Sequence, residues 1–361
     1  TVTSETCPLV ISDHALQGYY DLVDRVEAGE DVDLAAMGDL FALPSYDRWR
    51  RSFGNEMPSQ AWAGRMLHIA LLGEEALPER LRQKSRRLDL VLAFQEAVAE
   101  REEIVGFARA LVEDDVLCRT WEILREWTPA EQLPDTLRVD LLAGYPEMRR
   151  FEGHVLLDAG MAWASGRGQL PGFVASLVYR DVASLSGRHP ANASGEAILL
   201  ETLRLVFNEV VPAHLDQVTT MVFDRRHDLL AGASPSPEAI GEQATLTLAS
   251  LAGGLRAVRA REQSDDEQWQ TLYRLFVGAQ SWQATAWYLG AVIDDRLGRA
   301  RLQEAVRHPA DLFAAYHEAC AVPAADDGAA PQTLAGFVAD PPSLGDDNVA
   351  WLTERLRAYF E

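Results

Sequence analysis

Apolar residues recur at spacings of three and four between Leu88 and Val112. This period matches the turn of an α-helix and gathers the apolar side chains on one face. It predicts a helical stretch over about 77–116, broken only at Gly106. Three later stretches show similar spacing: 171–185, 194–211 and 236–261. The chain is therefore predicted to be mainly α, a multi-helix globular protein.

Local signals place further helix ends. Ser12–Asp13 precedes an apolar periodic segment that stops at Gly29, which is typical of a capped helix with a glycine after its last turn. Ser45, within the turn 43–46, predicts the cap of another helix.

One region favours strands. Residues 137–143 alternate weakly between apolar and polar, and residues 155–158 together with 161–163 form a second candidate. These segments predict a small β-hairpin or sheet around 137–163, which makes a zincin-like α+β arrangement the expected variant of the mainly α fold.

The length of 361 residues allows one large domain or two ordinary ones. We expect a single domain over residues 1–321, with a sub-boundary near 130–170. Residues 322–347 are rich in Pro, Ala and Asp and predict a connector. Residues 348–361 predict a C-terminal helix.

The charge excludes one class of partner. The chain carries 33 Lys and Arg against 55 Asp and Glu, a net charge of −22. Such a chain repels phosphate backbones unless a local basic patch exists. The densest basic run, residues 80–87, lies among acidic neighbours and is interpreted as a solvated helix face. We expect no nucleic-acid partner, and no membrane partner because no apolar run approaches the roughly 20 residues of a transmembrane helix.

The three cysteines, Cys7, Cys118 and Cys320, are far apart and form no CxxC pattern. This spacing argues against a disulfide framework or a zinc ribbon, and Cys118 is interpreted as a small core residue. Sparse cysteine and the absence of a signal-peptide pattern at the N-terminus favour a cytoplasmic protein, unless a signal peptide preceded residue 1.

No complete catalytic or metal motif is present. GxGxxG, GxxxxGK[ST], GxSxG and HExxH are all missing, and no two of the eight histidines lie four residues apart. We therefore expect no cofactor and no metal. Two weaker candidates remain. Glu152 and His154 would share one face of a strand, although a polar turn is the simpler interpretation. His214 follows the helix that carries Glu209, whose carboxylate near an apolar face needs a partner such as Arg180.

Three stretches share the layout of one known family. They are FVASLVYRDVASL at 173–185, LRLVFNEVVPAHL at 203–215, and WYLGAVIDDRLG at 287–298, which is followed by Leu302, Pro309, Phe313 and Tyr316. With the layout of residues 20–46, they resemble a family of uncharacterised bacterial proteins described as zinc-dependent peptidases of the gluzincin type. The resemblance spans most of the chain, but its motifs are loose.

The departures from that family decide what the resemblance implies. Tyr179, Arg180 and Ala183 stand where the active members carry His, Glu and His of HExxH, and only Glu209 remains where they carry the third zinc ligand. Zinc hydrolysis needs three protein ligands and a carboxylate base. The resemblance therefore implies an inactive, metal-free relative, with Arg180 and Glu209 as an ion pair across the former site.

Three functions stay open at this point. The first is such an inactive relative, which binds a peptide, a protein or a small ligand or serves as a scaffold. The second is a hydrolase with an unrecognised site, around Glu152 and His154. The third is an acidic helical module that binds a basic protein.

Overall fold

The computed structural model describes residues 7–54, 59–72, 86–144, 148–186, 195–215, 237–260, 281–323 and 341–360, with five single positions between 266 and 274. These residues form helices and one small sheet, which confirms the predicted mainly α class. The chain divides into two compact units. The first comprises Thr1–Val182 and Val218–Ala233, and the second comprises Ala183–Gln217 and Ser234–Glu361. The single domain expected over residues 1–321, with its sub-boundary near 130–170, stays a prediction.

The first unit contains the sheet and nine helices among the residues described above. In chain order its elements are β1 (Leu9–Ser12), α1 (His14–Glu27), α2 (Leu34–Leu40), α3 (Pro44–Ser52), α4 (Gln60–Leu72), α5 (Arg86–Ala99), α6 (Arg101–Glu113), α7 (Arg119–Trp127), β2 (Leu137–Leu142), β3 (Arg149–Phe151), β4 (His154–Asp158), α8 (Ala159–Ser165) and α9 (Leu170–Val182). Short 3-10 turns occupy Asp115–Cys118 and Ala130–Gln132.

The sheet has the strand order β1-β2-β4-β3, with only β3 antiparallel to its neighbour. Its two central strands lie where the sequence predicted them. β1 was not predicted from the sequence. Residues 161–163, predicted as strand, lie instead in α8, because Asp158 caps that helix by accepting a hydrogen bond from the Met161 amide.

The two faces of the sheet carry different partners, as strand alternation requires. Arg149 turns towards α3, where its guanidinium lies 4.0 Å from the Phe53 ring centre. The next residue, Arg150, turns the other way, donates to the Val178 carbonyl and pairs with Asp181 at the end of α9. Adjacent arginines thus fasten helices to opposite faces.

Buried aromatic residues form the core between α1, α3 and α5. Tyr19, Tyr46, Trp49 and Phe94 are all excluded from solvent. Each tyrosine hydroxyl donates to a backbone carbonyl: Tyr19 to Phe94 at 2.7 Å and Tyr46 to Ala143 at 2.6 Å. The two tyrosine hydroxyls are therefore satisfied inside an apolar core, whereas the Trp49 indole N–H has no partner among the described residues.

Two predicted helix boundaries were wrong. Ser45 does not cap α3, because the helix starts one residue earlier with Pro44 in its first turn. Gly106 does not break the helical stretch, since it lies within α6. The break falls at Glu100, whose φ of −105° and ψ of 24° leave the helical range.

Cys7 and Cys118 are joined by a disulfide, with their Cα atoms 5.7 Å apart. The sequence analysis argued against a disulfide framework and did not predict this single bond, and its interpretation of Cys118 as a simple core residue was wrong. The two cysteines are 111 residues apart, and spacing in the chain says nothing about which cysteines the fold brings together.

The second unit is helical over its described residues. Its elements are α10 (Gly195–Leu215), α11 (Pro237–Ala260), α12 (Ser281–Leu297), α13 (Arg299–Ala305), α14 (Pro309–Cys320) and α15 (Asp346–Phe360). α12 lies against both α10 and α11. A Cβ on Gly290 would stand 3.2 Å from Val210, so the glycine allows α12 to approach α10 closely.

Some predictions fall on residues outside this description. They include the side chains of the basic run 80–87 and most of the connector 322–347. The C-terminal helix is present as α15. Its first turn contains Asp346 and Asp347, whose negative charges interact favourably with the positive end of the helix dipole. Among the described helices, none combines the length and the apolar character needed to cross a bilayer.

Candidate functional site

An open groove of about 550 Å³ runs between α1 and α6 of the first unit. We call it the α1–α6 groove. Apolar side chains from both helices make its floor, and they recur along each helix at intervals that keep them on one face. The floor residues are Leu16, Tyr20, Val105, Ala108 and Val112.

Two polar side chains at one end of the groove, Tyr20 and Arg101, already have partners. The Tyr20 hydroxyl donates to the Ala97 carbonyl at 3.1 Å, and burial raises the pKa of Tyr20, so this group stays neutral. Arg101 forms a two-pronged ion pair with Asp24 and lies 5.2 Å from the centre of the Tyr20 ring. The charge of Arg101 is therefore already matched.

The rim of the groove is acidic. Asp13, Asp21, Glu102 and Glu113 line it, against Arg109 and the matched Arg101. Asp21, Glu102 and Glu113 form no ion pair with another described residue, so their charges face solvent. Opposite each other across an apolar floor, these carboxylates make a negatively charged concave surface.

Gly106 leaves space in the groove. It lies within α6, and a Cβ added to it would meet nothing within 4 Å. A methyl group at this position would therefore meet no neighbour. No Ser, Cys or His lies among the described lining residues, so the polar groups of the groove are carboxylates, guanidiniums, the Gln17 amide and the Tyr20 hydroxyl.

A second polar cluster lies on the sheet face that carries α3. The buried carboxylate of Asp140 receives a hydrogen bond from Arg48 at 2.9 Å. Nδ1 of His154 lies 3.1 Å from the same oxygen, an ion-pair distance without hydrogen-bond geometry. Burial lowers the pKa of His154; Arg48 and Arg138 lower it further, while Asp140 opposes them.

Glu152 and His154 are not brought together. Glu152 sits in the turn between β3 and β4 with a φ of 51°, which is rare for a residue with a side chain. Its two oxygens accept from Arg51 at 2.6 and 2.8 Å, and this pair lowers the pKa of Glu152. Because Glu152 lies in the turn, it does not share a strand face with His154, whose carboxylate neighbour is Asp140.

The predicted vestigial residues are divided between the units. Tyr179 and Arg180 lie on α9 of the first unit, whereas Ala183 and Glu209 belong to the second. Burial raises the pKa of Tyr179 to about 12, so its hydroxyl is neutral at pH 7. The guanidinium of Arg180 reaches Ser176 at 3.5 Å. The ion pair between Arg180 and Glu209 stays a prediction.

The neighbour of Glu209 has a clear structural role. Asn208 accepts a hydrogen bond from the Leu185 amide at 2.9 Å and donates one to the Leu185 carbonyl at 3.1 Å. Arg204 donates to the same carbonyl at 2.8 Å. These bonds fix the chain that precedes α10.

His214 is buried at the end of α10. Its Nε2 lies 3.5 Å from Asp294 on α12 and 3.4 Å from Arg299 on α13. Burial lowers the pKa of His214, Asp294 opposes this effect and Arg299 adds to it. The three side chains join three helices, and a neutral imidazole between them fits a structural role.

No group of three His, Cys, Asp or Glu side chains among the described residues is arranged to hold a metal ion. A scan of protein-family models and searches of curated proteins and solved structures found no match to this chain. The site must therefore be judged on its own geometry.

Two features escaped the sequence analysis: the α1–α6 groove, and Asp140 beside His154. The amphipathic segments that form α1 and α6 both carry acidic residues beside their apolar face, and this pattern could have indicated the groove. No sequence signal paired Asp140 with His154, since the contact depends on the register of β2 against β4.

Proposed function

We propose that this chain is a non-catalytic binding protein that takes a cationic amphipathic segment of a partner protein into the α1–α6 groove. The observation that carries the proposal is the apolar floor of this groove beneath a rim of unpaired carboxylates. An occupant that matches both needs an apolar stripe flanked by Lys or Arg.

The dimensions support a peptide segment. The groove follows α6 from Arg101 to Glu113, which corresponds to about 18 Å at 1.5 Å per helical residue. Its volume of about 550 Å³ accommodates several side chains. The occupant would therefore lay one face against the groove and keep its backbone outside.

The same proposal includes the relationship to zinc peptidases. Tyr179, Arg180 and Ala183 supply no carboxylate or imidazole for a metal, and a guanidinium repels a cation. We infer that the chain is an inactive, metal-free relative of those enzymes. Metal analysis of the purified protein tests this inference, and zinc at one equivalent would contradict it.

The hydrolase alternative is weaker than it was from the sequence. Of its proposed pair, Glu152 is bound by Arg51 and His154 faces Asp140. We therefore prefer a binding protein to a hydrolase. The basic protein proposed as the partner of an acidic helical module becomes the proposed occupant of the groove.

Binding can be tested by fluorescence anisotropy with a labelled amphipathic peptide of leucine and lysine. The matching leucine–glutamate peptide is the charge control. We expect the lysine peptide to bind and its affinity to fall as salt rises, because the rim charges are exposed.

A bulky side chain at Gly106 tests whether the peptide binds in the groove. Gly106→Phe should lower the affinity about tenfold or more, equivalent to about 1.4 kcal/mol. Gly106→Ala, which adds only a methyl group, should bind as the original protein does. Gly253→Phe is the matched control, because a Cβ on this α11 glycine also meets nothing within 4 Å. Equal binding by Gly106→Phe and Gly253→Phe would refute the groove.

The compartment forms part of the proposal. The sequence favoured the cytoplasm, where thiols are kept reduced. The Cys7–Cys118 disulfide favours an oxidising compartment instead. Thiol labelling of the protein taken directly from its native cells distinguishes the two, since three reactive thiols after unfolding indicate the cytoplasm and one indicates an oxidising compartment.

A further inference from the structure

We propose that Arg48, Arg138 and His154 form a site for the oxyanion group of a ligand, on the sheet face that carries α3. We call these three residues the arginine–histidine cluster. This site lies outside the α1–α6 groove and shares no residue with it, so it stands independently of the proposed function.

The arginine–histidine cluster carries more positive charge than its carboxylate neighbour balances. Asp140, the carboxylate that contacts the cluster, is buried and shares one oxygen between Arg48 and His154. Arg138 is exposed and forms no ion pair with a described residue. One positive charge is thus left over, on the surface of a chain whose net charge is −22.

Neighbouring acids do not cancel this charge. Asp47 and Glu152, which lie nearest on α3 and in the β3–β4 turn, are each paired with Arg51, and Asp47 also pairs with Arg50 at 2.7 Å. The acidic groups around the cluster therefore already have partners of their own.

The pairing of β2 with β4 brings two members of the cluster together. Arg138 and His154 are directly opposed in the parallel register of these strands. Arg138 and Asp140 are two residues apart on β2, so they share a face, and Arg48 reaches Asp140 from α3 on that face. Two strands and a helix therefore carry three cationic or hydrogen-bonding groups on the same face of the sheet.

The imidazole of His154 has one ring nitrogen left for a ligand. Nδ1 is buried and faces the Asp140 carboxylate at 3.1 Å, which leaves Nε2 to contact an anion. Arg48 and Arg138 lower the pKa of His154 together with burial. A bound oxyanion would offset both arginines and favour the protonated ring, which can donate to it.

The experiment follows the imidazole by NMR as inorganic phosphate is added, at constant ionic strength held with chloride. We expect phosphate to raise the pKa of His154 by about 1 unit, because an opposite charge within a few ångströms has effects of that size. A parallel titration with acetate distinguishes a phosphate site from a carboxylate site by which anion gives the larger rise.

Arg138→Ala should abolish the rise while the protein stays folded, since the side chain is exposed. Arg125→Ala is the matched control, because this exposed arginine lies on α7, outside both candidate sites, and its variant should leave the rise unchanged. An identical His154 pKa in phosphate, acetate and chloride overturns the proposal, as does an undiminished rise in Arg138→Ala.

Discussion

Gly64 on α4 and Gly38 on α2 bring the backbones of their helices into direct contact. A Cβ added to Gly64 would stand 2.9 Å from the Gly38 amide nitrogen and 3.0 Å from its Cα. Real Cβ atoms are not found so close to backbone, and the backbone has no flexible end that could move aside. Gly64 is therefore required by packing, although glycine weakens a helix.

Gly64→Ala should destabilise the protein, since the added methyl group forces α4 away from α2. We expect a loss of about 1 to 3 kcal/mol in the free energy of unfolding, the usual cost of overpacking. Urea denaturation followed by circular dichroism measures it. An unchanged midpoint would show that the two helices can separate without cost.

Gly106→Ala should have the opposite effect. The position is helical and the new methyl group meets no neighbour, so only the helix propensity changes. We expect a gain of about 0.5 to 1 kcal/mol in the free energy of unfolding. The same denaturation experiment compares the two alanine variants, and a loss at Gly106 would contradict the open space found there.

Reducing the Cys7–Cys118 disulfide should lower the melting temperature. The bond closes a loop with a sequence separation of 111, and cross-linking such a loop contributes about 4 to 5 kcal/mol in the chain-entropy description. Calorimetry with and without reductant measures the change, and Cys118→Ser should lose the response to reductant. Cys320→Ser is the control, because Cys320 forms no disulfide and its variant should respond as the original protein does.

Acidification should weaken the fold through His214. Burial lowers the pKa of His214 in the folded state, so the folded protein holds the neutral ring. The unfolded chain takes up a proton as the pH falls below about 6.5, and stability is lost from there down to the folded pKa. The free energy of unfolding should therefore fall between pH 7 and pH 5.

His214→Gln should show a shallower fall than the original protein over this range. His154 has a lowered pKa as well, so part of the dependence should remain in the variant. His14→Gln, at an exposed position, is the control. Identical pH profiles for the original protein and His214→Gln would contradict the buried neutral imidazole.

The helices were predictable because their signals are local. Spacings of three and four predicted the positions of α9, α10 and α11 to within a few residues. The break at Glu100 was missed because Gly106 is the more obvious helix breaker. In the structure Gly106 is simply tolerated within α6, and the acidic residues Glu102 and Glu103 mark where that helix begins.

The candidate sites were less predictable because their contacts join distant segments. The carboxylate partner of His154 is Asp140, and the partner of Glu152 is Arg51, 101 residues away. Each contact exists only because the sheet sets a register and α3 packs on it. The α1–α6 groove likewise needs two helices separated by more than seventy residues in the chain.

The pairing of β1 with β2 makes demands on synthesis. β1 ends at Ser12, and its partner strand is complete only at Leu142. At ribosomal rates, synthesis of β2 therefore ends on the order of ten seconds after synthesis of β1. Such a distant pairing also slows folding, because closing a long loop costs chain entropy before the strand contacts form. Cys118 emerges before β2 does. A bond from Cys7 to Cys118 would therefore hold β1 near the place where β2 is about to arrive.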